Sequence, residues 1–308
     1  MVEVNYEKNK NGKGRNKEEE GRPVFLRMTR KTKKADKYKY STSQLFNYAK
    51  ESYLERTSRP IYAIVFLLPF IIFYEVGTIL INTNVLNQTQ VRVVAFVWLQ
   101  NFLEHIGFGS KVAWAVPPLV VVVTLIAMQF ASRKGWYFVF GDIWPMAVEC
   151  ILLAVPLIVL SLFLSSPPMA GFMEAEESRG GGQFLLADIV TGIGAGIYEE
   201  LVFRLILICV LMFVFEDFLG FGRRNSVIIS VCISAAMFSA HHHIDFFTGR
   251  VNQRDLFSWV KFGFRTIAGI YFAILFAIRG FGITAGTHAF YDIIATVINA
   301  FFFPMSGN

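Results

Sequence analysis

Repeated apolar stretches constrain this sequence more than any other feature, because a helix of about 20 apolar residues matches the hydrocarbon thickness of a bilayer. Five runs reach that length, at roughly 61–82, 112–131, 144–166, 226–246 and 282–304. A sixth, about 257–278, is apolar but carries Lys261 and Arg265. Residues 184–219 would extend about 54 Å as a helix, too long for one straight span and too short for two comfortable ones. A long tilted or kinked helix that projects from the membrane is the expectation there. The stretch from Val91 to Phe108 contains Glu104 and His105 and reads as an interfacial segment or an eighth insertion. The expected fold class is therefore all-α, a polytopic transmembrane helical bundle of seven or eight spans.

Composition agrees with lipid as the main solvent. Apolar residues make up 54% of the 308 and charged residues 17%, against about 25% charged in a soluble globular domain. The net charge of +6 is unevenly spread, since more than half of the 29 Lys and Arg precede Ile61. Residues 1–60 read as a basic, largely disordered arm without the apolar core of a signal peptide. Such an arm marks the cytoplasmic side and touches anionic lipid; no nucleic-acid partner is expected. Residues 61–166 then form a set of N-terminal membrane helices, and 184–304 a second membrane domain. Cys150, Cys209 and Cys232 sit in apolar runs, with neither a disulfide framework nor zinc-ligand spacing.

A charge in the hydrocarbon costs about 2.5–3.5 kcal/mol on insertion scales, so charges retained there serve function or pair tightly. Three clusters in the second domain qualify. In Tyr198-Glu199-Glu200-Leu201-Val202-Phe203-Arg204, Glu200 and Arg204 are four apart and share a helix face, while Glu199 is rotated about 100° away. One acid can be neutralised by arginine while the other faces a cavity. Phe238-Ser239-Ala240-His241-His242-His243 ends an apolar run; on a helix at most one or two of the three histidines face one site. In His288-Ala289-Phe290-Tyr291-Asp292, His288 and Asp292 share a face, and the acid can orient the imidazole. Each cluster also has a bland reading, as a structural ion pair, an interfacial histidine group or a satisfied His–Asp pair. Together they supply a carboxylate base, histidines and a second acid, enough for water activation and oxyanion stabilisation, or for a metal site. Neither HExxH nor GxSxG is present.

The three motifs in series resemble those of the CAAX protease and bacteriocin-processing (CPBP) family of intramembrane endopeptidases. Glu199-Glu200 with Arg204 matches its EExxxR motif, Phe238 with His242 its FxxxH motif, and His288 with Asp292 its HxxxN/D motif. The resemblance covers roughly residues 184–304. It implies hydrolysis of a peptide or membrane-protein substrate, with Glu199 and His242 activating water and His288 and Asp292 supporting the oxyanion. Glu200 and Arg204 would be structural or touch substrate. It also implies no cofactor, with Zn²⁺ the less favoured alternative. Two other functions remain open at this point: a non-catalytic scaffold or immunity factor, and a proton-coupled transporter built on the same buried acids and histidines.

Overall fold

The computed structural model describes residues 48–49, 51–84, 93–164, 182–246, 249, 251–252 and 256–302, all within one unit, Ser43–Asn308. The expected arm, up to residue 47, and most of the loop 167–183 lie outside the described residues. The described residues form ten α-helices in order: α1 (Tyr53–Thr57), α2 (Pro60–Asn84), α3 (Val94–His105), α4 (Ser110–Ser132), α5 (Ile143–Leu164), α6 (Gly182–Glu200), α7 (Ile208–Met212), α8 (Arg223–Ala240), α9 (Trp259–Arg279) and α10 (Phe281–Phe302). Among the described residues there is no β-strand, and Ile244 and Val251 form an isolated bridge.

Among the described residues, five helical segments are long and apolar enough to cross a membrane: Pro60–Ile81, Ala115–Ser132, Phe140–Leu164, Trp259–Arg279 and Phe281–Phe301. The set differs from the sequence expectation in one member. The run 226–246 yields the shorter α8, which stops at Ala240 and buries Ser226, Ser230, Ser234 and Ser239. Serines turned inward dilute the apolar signal; Ser226, Ser234 and Ser239 donate to the carbonyls of Gly222, Phe203 and Phe262 rather than facing lipid. α9 qualifies despite its cations. The 12 residues of α3 are too few to span.

The awkward element of the sequence is one continuous helical path from α6 to Phe218. Its hydrogen bonding changes twice, to π-helix at Leu201–Leu207 and again at Phe213–Phe218, with α7 between. The first π stretch begins at the residue after Glu200. Single π turns inside α-helices concentrate at functional sites.

α6 and α10 form the centre of the bundle and approach closely because glycines face them. A Cβ at Gly196 would sit 2.5 Å from the Ala289 nitrogen, and one at Gly192 would sit 2.7 Å from Asp292 Cβ. The pairings Gly196 with Ala285 and Ala289, and Gly192 with Asp292, make the two helices antiparallel. α5, α2 and α9 pack around α10.

A polar collar closes one end of the bundle. Arg56 donates to both oxygens of Asp142 at 2.9 Å, and the Tyr62 hydroxyl donates to Asp142 Oδ2 at 2.9 Å. Arg279 grips Glu149 at 2.6 and 2.8 Å and also donates to Leu54 O and Thr57 Oγ1. Tyr53 completes Glu149 with a 2.7 Å bond. Arg59 and Lys134 meet Glu55 at 2.6 and 3.3 Å. Burial alone would raise the Glu55 carboxyl, but these two cations outweigh it and hold it below its ordinary value. The Asp142 hydrogen bonds hold Arg56 above its own. Past the collar, Gly280 alone separates α9 from α10, at φ +79°, where a side chain is strained. Helix α10 starts at Phe281 with nine consecutive buried residues, through Ala289.

A candidate active site between four helices

Glu199 and Glu200 end α6 and point different ways, as their 100° offset requires. Glu200 is fully buried. Its Oε2 lies 3.0 Å from Arg204 Nε, and its Oε1 lies 2.8 Å from His288 Nδ1. Arg204 is itself 1% exposed, with its guanidinium carbon 4.2 Å from the Phe238 ring centroid and 5.5 Å from that of Phe272. The rings offer a favourable face to a cation removed from water. The spacing of Glu200 and Arg204 thus gives a contact in three dimensions, extended by His288 from another helix.

Glu199 has no arginine against it. Its Oε1 is 3.3 Å from His241 Nε2, and its Oε2 lies 4.0 Å from His288 Nε2 without a hydrogen-bond partner among the described residues. His288 stacks on Phe272 at 4.6 Å and 18°, and its Nε2 lies 3.5 Å from Asp292 Oδ2. The Asp292 side chain is 25% exposed, against 6% or less for Glu199, Glu200 and His288. The His288 ring also meets the Phe238 ring at 5.8 Å. Glu199, Glu200, Arg204, His288 and Asp292 are therefore brought together, from α6, its π extension and α10.

The histidine run behaves differently from a helical reading. α8 ends at Ala240, and His241, His242 and His243 lie in the turn beyond it. His241 is buried, held by a hydrogen bond from Nδ1 to the Phe238 carbonyl and ringed by Trp98, Phe203 and Phe238. A carbonyl can only accept, so Nδ1–H donates to it and Nε2 is turned toward Glu199 Oε1. His242 is half-buried, its ring 4.0 Å from that of His241. Its backbone carbonyl accepts from Asn252 Nδ2 at 2.9 Å. His243 turns away toward Arg265 at 3.4 Å and Phe257. Spacing from Phe238 favours His242, with His241 the open alternative; it is His241 that contacts Glu199, because helical phase ends with the helix. Trp98 was missed; it stacks edge-on over His241 and donates to Asp245 at 3.3 Å.

Glu199, His241 and His242 each present one ligand atom, all within 4.8 Å of one another. An oxygen and two imidazole nitrogens form a donor set that Zn²⁺ accepts. Cys150 is buried against the Ile283 carbonyl, and Cys209 and Cys232 are exposed; none belongs to this group.

Comparisons with known proteins bear on the same region. Residues 181–294 match the family described as type II CAAX prenyl endopeptidase Rce1-like, an interval that holds every residue of the cluster. Searches of curated proteins and of solved structures return no match. Acid pair, arginine, histidine turn and His–Asp pair all converge inside the matched interval, and residues 181–294 are thus similar to an Rce1-like domain, in agreement with the resemblance carried by the motifs.

Proposed function

We propose that this protein is an intramembrane endopeptidase in which Glu199 activates water for attack on a peptide carbonyl. Glu199 Oε2 carries the reading: a buried carboxylate oxygen with no hydrogen-bond partner among the described residues, beside a histidine, while its other oxygen is held by His241. Glu199 takes a proton from water as the hydroxide adds to the carbonyl carbon. His242, half-buried beside His241, contacts the same water. The tetrahedral oxyanion forms next to His288 Nε2. Glu200 accepts from Nδ1–H, and the doubly protonated ring would present Nε2–H as a donor toward developing negative charge. Collapse of the intermediate breaks the C–N bond, and Glu199 returns its proton to the leaving amine. Glu200 Oε2 against Arg204 Nε gives the buried arginine its counter-ion throughout.

The substrate is a peptide or membrane protein. The bundle is read as seven spans, α2, α4, α5, the α6 path, α8, α9 and α10, with the basic arm on the cytoplasmic side. Comparison of membrane peptides from cells with wild type and Glu199→Ala identifies the substrate. On it, Glu199→Gln should abolish turnover and leave folding intact; wild-type turnover by Glu199→Gln refutes the assignment. The ligand geometry of Glu199, His241 and His242 favours one second reading, a zinc hydrolase. Exhaustive chelation decides between them, because the glutamate mechanism keeps its activity and the zinc mechanism loses it until metal is restored.

A further inference from the structure

We infer that the site takes its substrate from the membrane face opposite the basic collar, so that the scissile bond lies in a segment displayed on the extracytoplasmic side. This deepens the peptidase reading above and rests on it and on its orientation.

The two ends of the bundle can be told apart from described contacts. Arg56 with Asp142, Arg279 with Glu149, and the Ile61 amide with Gln129 put the start of α2, the end of α4, the start of α5 and the end of α9 together. α10 begins at that end, one residue after Arg279. Ser239 donates to Phe262 O at 2.8 Å and a Cβ at Gly269 would lie 3.0 Å from Ala235, so α8 runs antiparallel to α9. The histidine turn after α8 therefore points away from the collar, toward Trp259 at the start of α9.

Access differs between the ends. On the collar side of His288, Phe281 through Ala289 are buried without a break. On the other side every residue from Phe290 to Ala300 is half-exposed. That half carries Asp292, Thr296 and Asn299, which follow His288 at four, eight and eleven residues and so continue its face. Asn299 Oδ1 is buried without a hydrogen-bond partner among the described residues. Polar side chains at membrane depth line water or protein rather than lipid, and this stripe leads from the site to the far end of α10. Arg265, 3.4 Å from His243, flanks the same side.

Charge fixes which compartment that is. The collar end holds Arg56, Arg59, Arg133, Lys134, Arg223, Arg224 and Arg279, against Lys261 and Arg265 at the start of α9 and, by sequence order, Arg179, Arg250 and Arg254 in the loops that lead to that end; more than half of the 29 Lys and Arg of the chain precede Ile61, where α2 leaves the collar. Lys and Arg excess marks the cytoplasmic side. A peptide confined to the cytoplasmic face thus meets the sealed end, and an exported or translocated peptide tethered at the outer leaflet meets the open one.

Cysteine labelling tests this without any need for turnover, so its outcome is independent of whether Glu199→Gln is active. In full-length protein with Cys209 and Cys232 replaced by serine, single cysteines go in at Trp136 (collar end), Trp259 (far end), Thr284 (sealed half of α10) and Thr296 (stripe). A membrane-impermeant maleimide applied to intact cells should label Trp259→Cys and Thr296→Cys. Trp136→Cys should label only after permeabilisation, and Thr284→Cys in neither condition. Thr296→Cys that stays unlabelled in intact cells while Trp259→Cys reacts overturns the proposed access path. Labelling of Trp136→Cys but not Trp259→Cys in intact cells overturns the compartment.

Discussion

Replacing Gly196 with alanine places one methyl group between the two helices that carry the site. The added carbon would lie 2.5 Å from the Ala289 nitrogen and 2.8 Å from the Ala285 oxygen, where ordinary contact begins at 3.4 Å. These are backbone atoms, so no rotamer change relieves the clash; α6 and α10 must part by roughly 0.9 Å (3.4 minus 2.5). Glu200 and His288 ride on opposite sides of that gap, and a full displacement along their 2.8 Å contact would stretch it to about 3.7 Å, outside hydrogen-bond range. Overpacking of this kind costs about 1–3 kcal/mol of stability, and a misplacement of about 1 Å costs on the order of 100-fold in rate. The expected result is a folded protein with lowered melting temperature and kcat reduced on the order of 100-fold. Thermal melts in detergent and cleavage of the substrate found by peptide comparison read the two effects. Gly263→Ala is the control: the same methyl in α9 meets nothing within 4 Å and should be neutral or stabilising. A Gly196→Ala protein with wild-type kcat would refute the claim that helix separation sets the geometry of the site.

Three further outcomes follow from described contacts. Arg279→Met strips Glu149 of its cation and should lower stability by about 3 kcal/mol in chemical or thermal denaturation, with much of the loss recovered when Glu149→Leu is added. His242→Ala should abolish turnover, whereas His241→Ala should lower kcat at least about tenfold with KM little changed, and His241→Gln, whose amide can still donate to Glu199, should recover part of it; a His241→Ala enzyme at the wild-type rate excludes a positioning role. The depressed Glu55 carboxyl contributes stability that is fully present above its unfolded pKa near ~4.3 and is lost as pH falls through the folded value. Melts of wild type and Glu55→Gln should accordingly differ at neutral pH and converge below about pH 4; a gap that persists in acid argues against the Arg59–Lys134 pairing as its source.

Much of the site is legible in sequence because its spacings are helical. Glu200 with Arg204, and His288 with Asp292, lie within unbroken helical stretches, so a separation of four residues becomes a contact. The histidine run breaks this logic. Ser234, Phe238 and His242 share a face only while the helix continues, and it stops at Ala240, so the chain rotates and His241 reaches Glu199. His288 comes level with the histidine turn for a reason spacing does not carry: Gly280 alone makes the reversal between α9 and α10, and the next nine residues sink into the protein. Hydropathy favoured 226–246 over 257–278 as a clear span, yet α9 is the more apolar helix and α8 the one with a buried serine row. Hydropathy counts residues without regard to the side they face.

The π-helical stretch after Glu200 acts as a register peg. A π turn holds one residue more than the α turn it replaces, so Leu201–Leu207 is the place where the long helix shifts phase between the acids and the segment that continues to Phe218. Were the same residues bonded as an ordinary α-helix, everything beyond would swing by about 100°. The Phe203 carbonyl, now capped by Ser234 at 2.7 Å, would face elsewhere. The locally less comfortable helix is what lets one continuous segment serve two partners, α10 on one side of the shift and α8 on the other. In lineages of this domain, chain length between the acid pair and the arginine should accordingly be less free to vary than the residues that fill it.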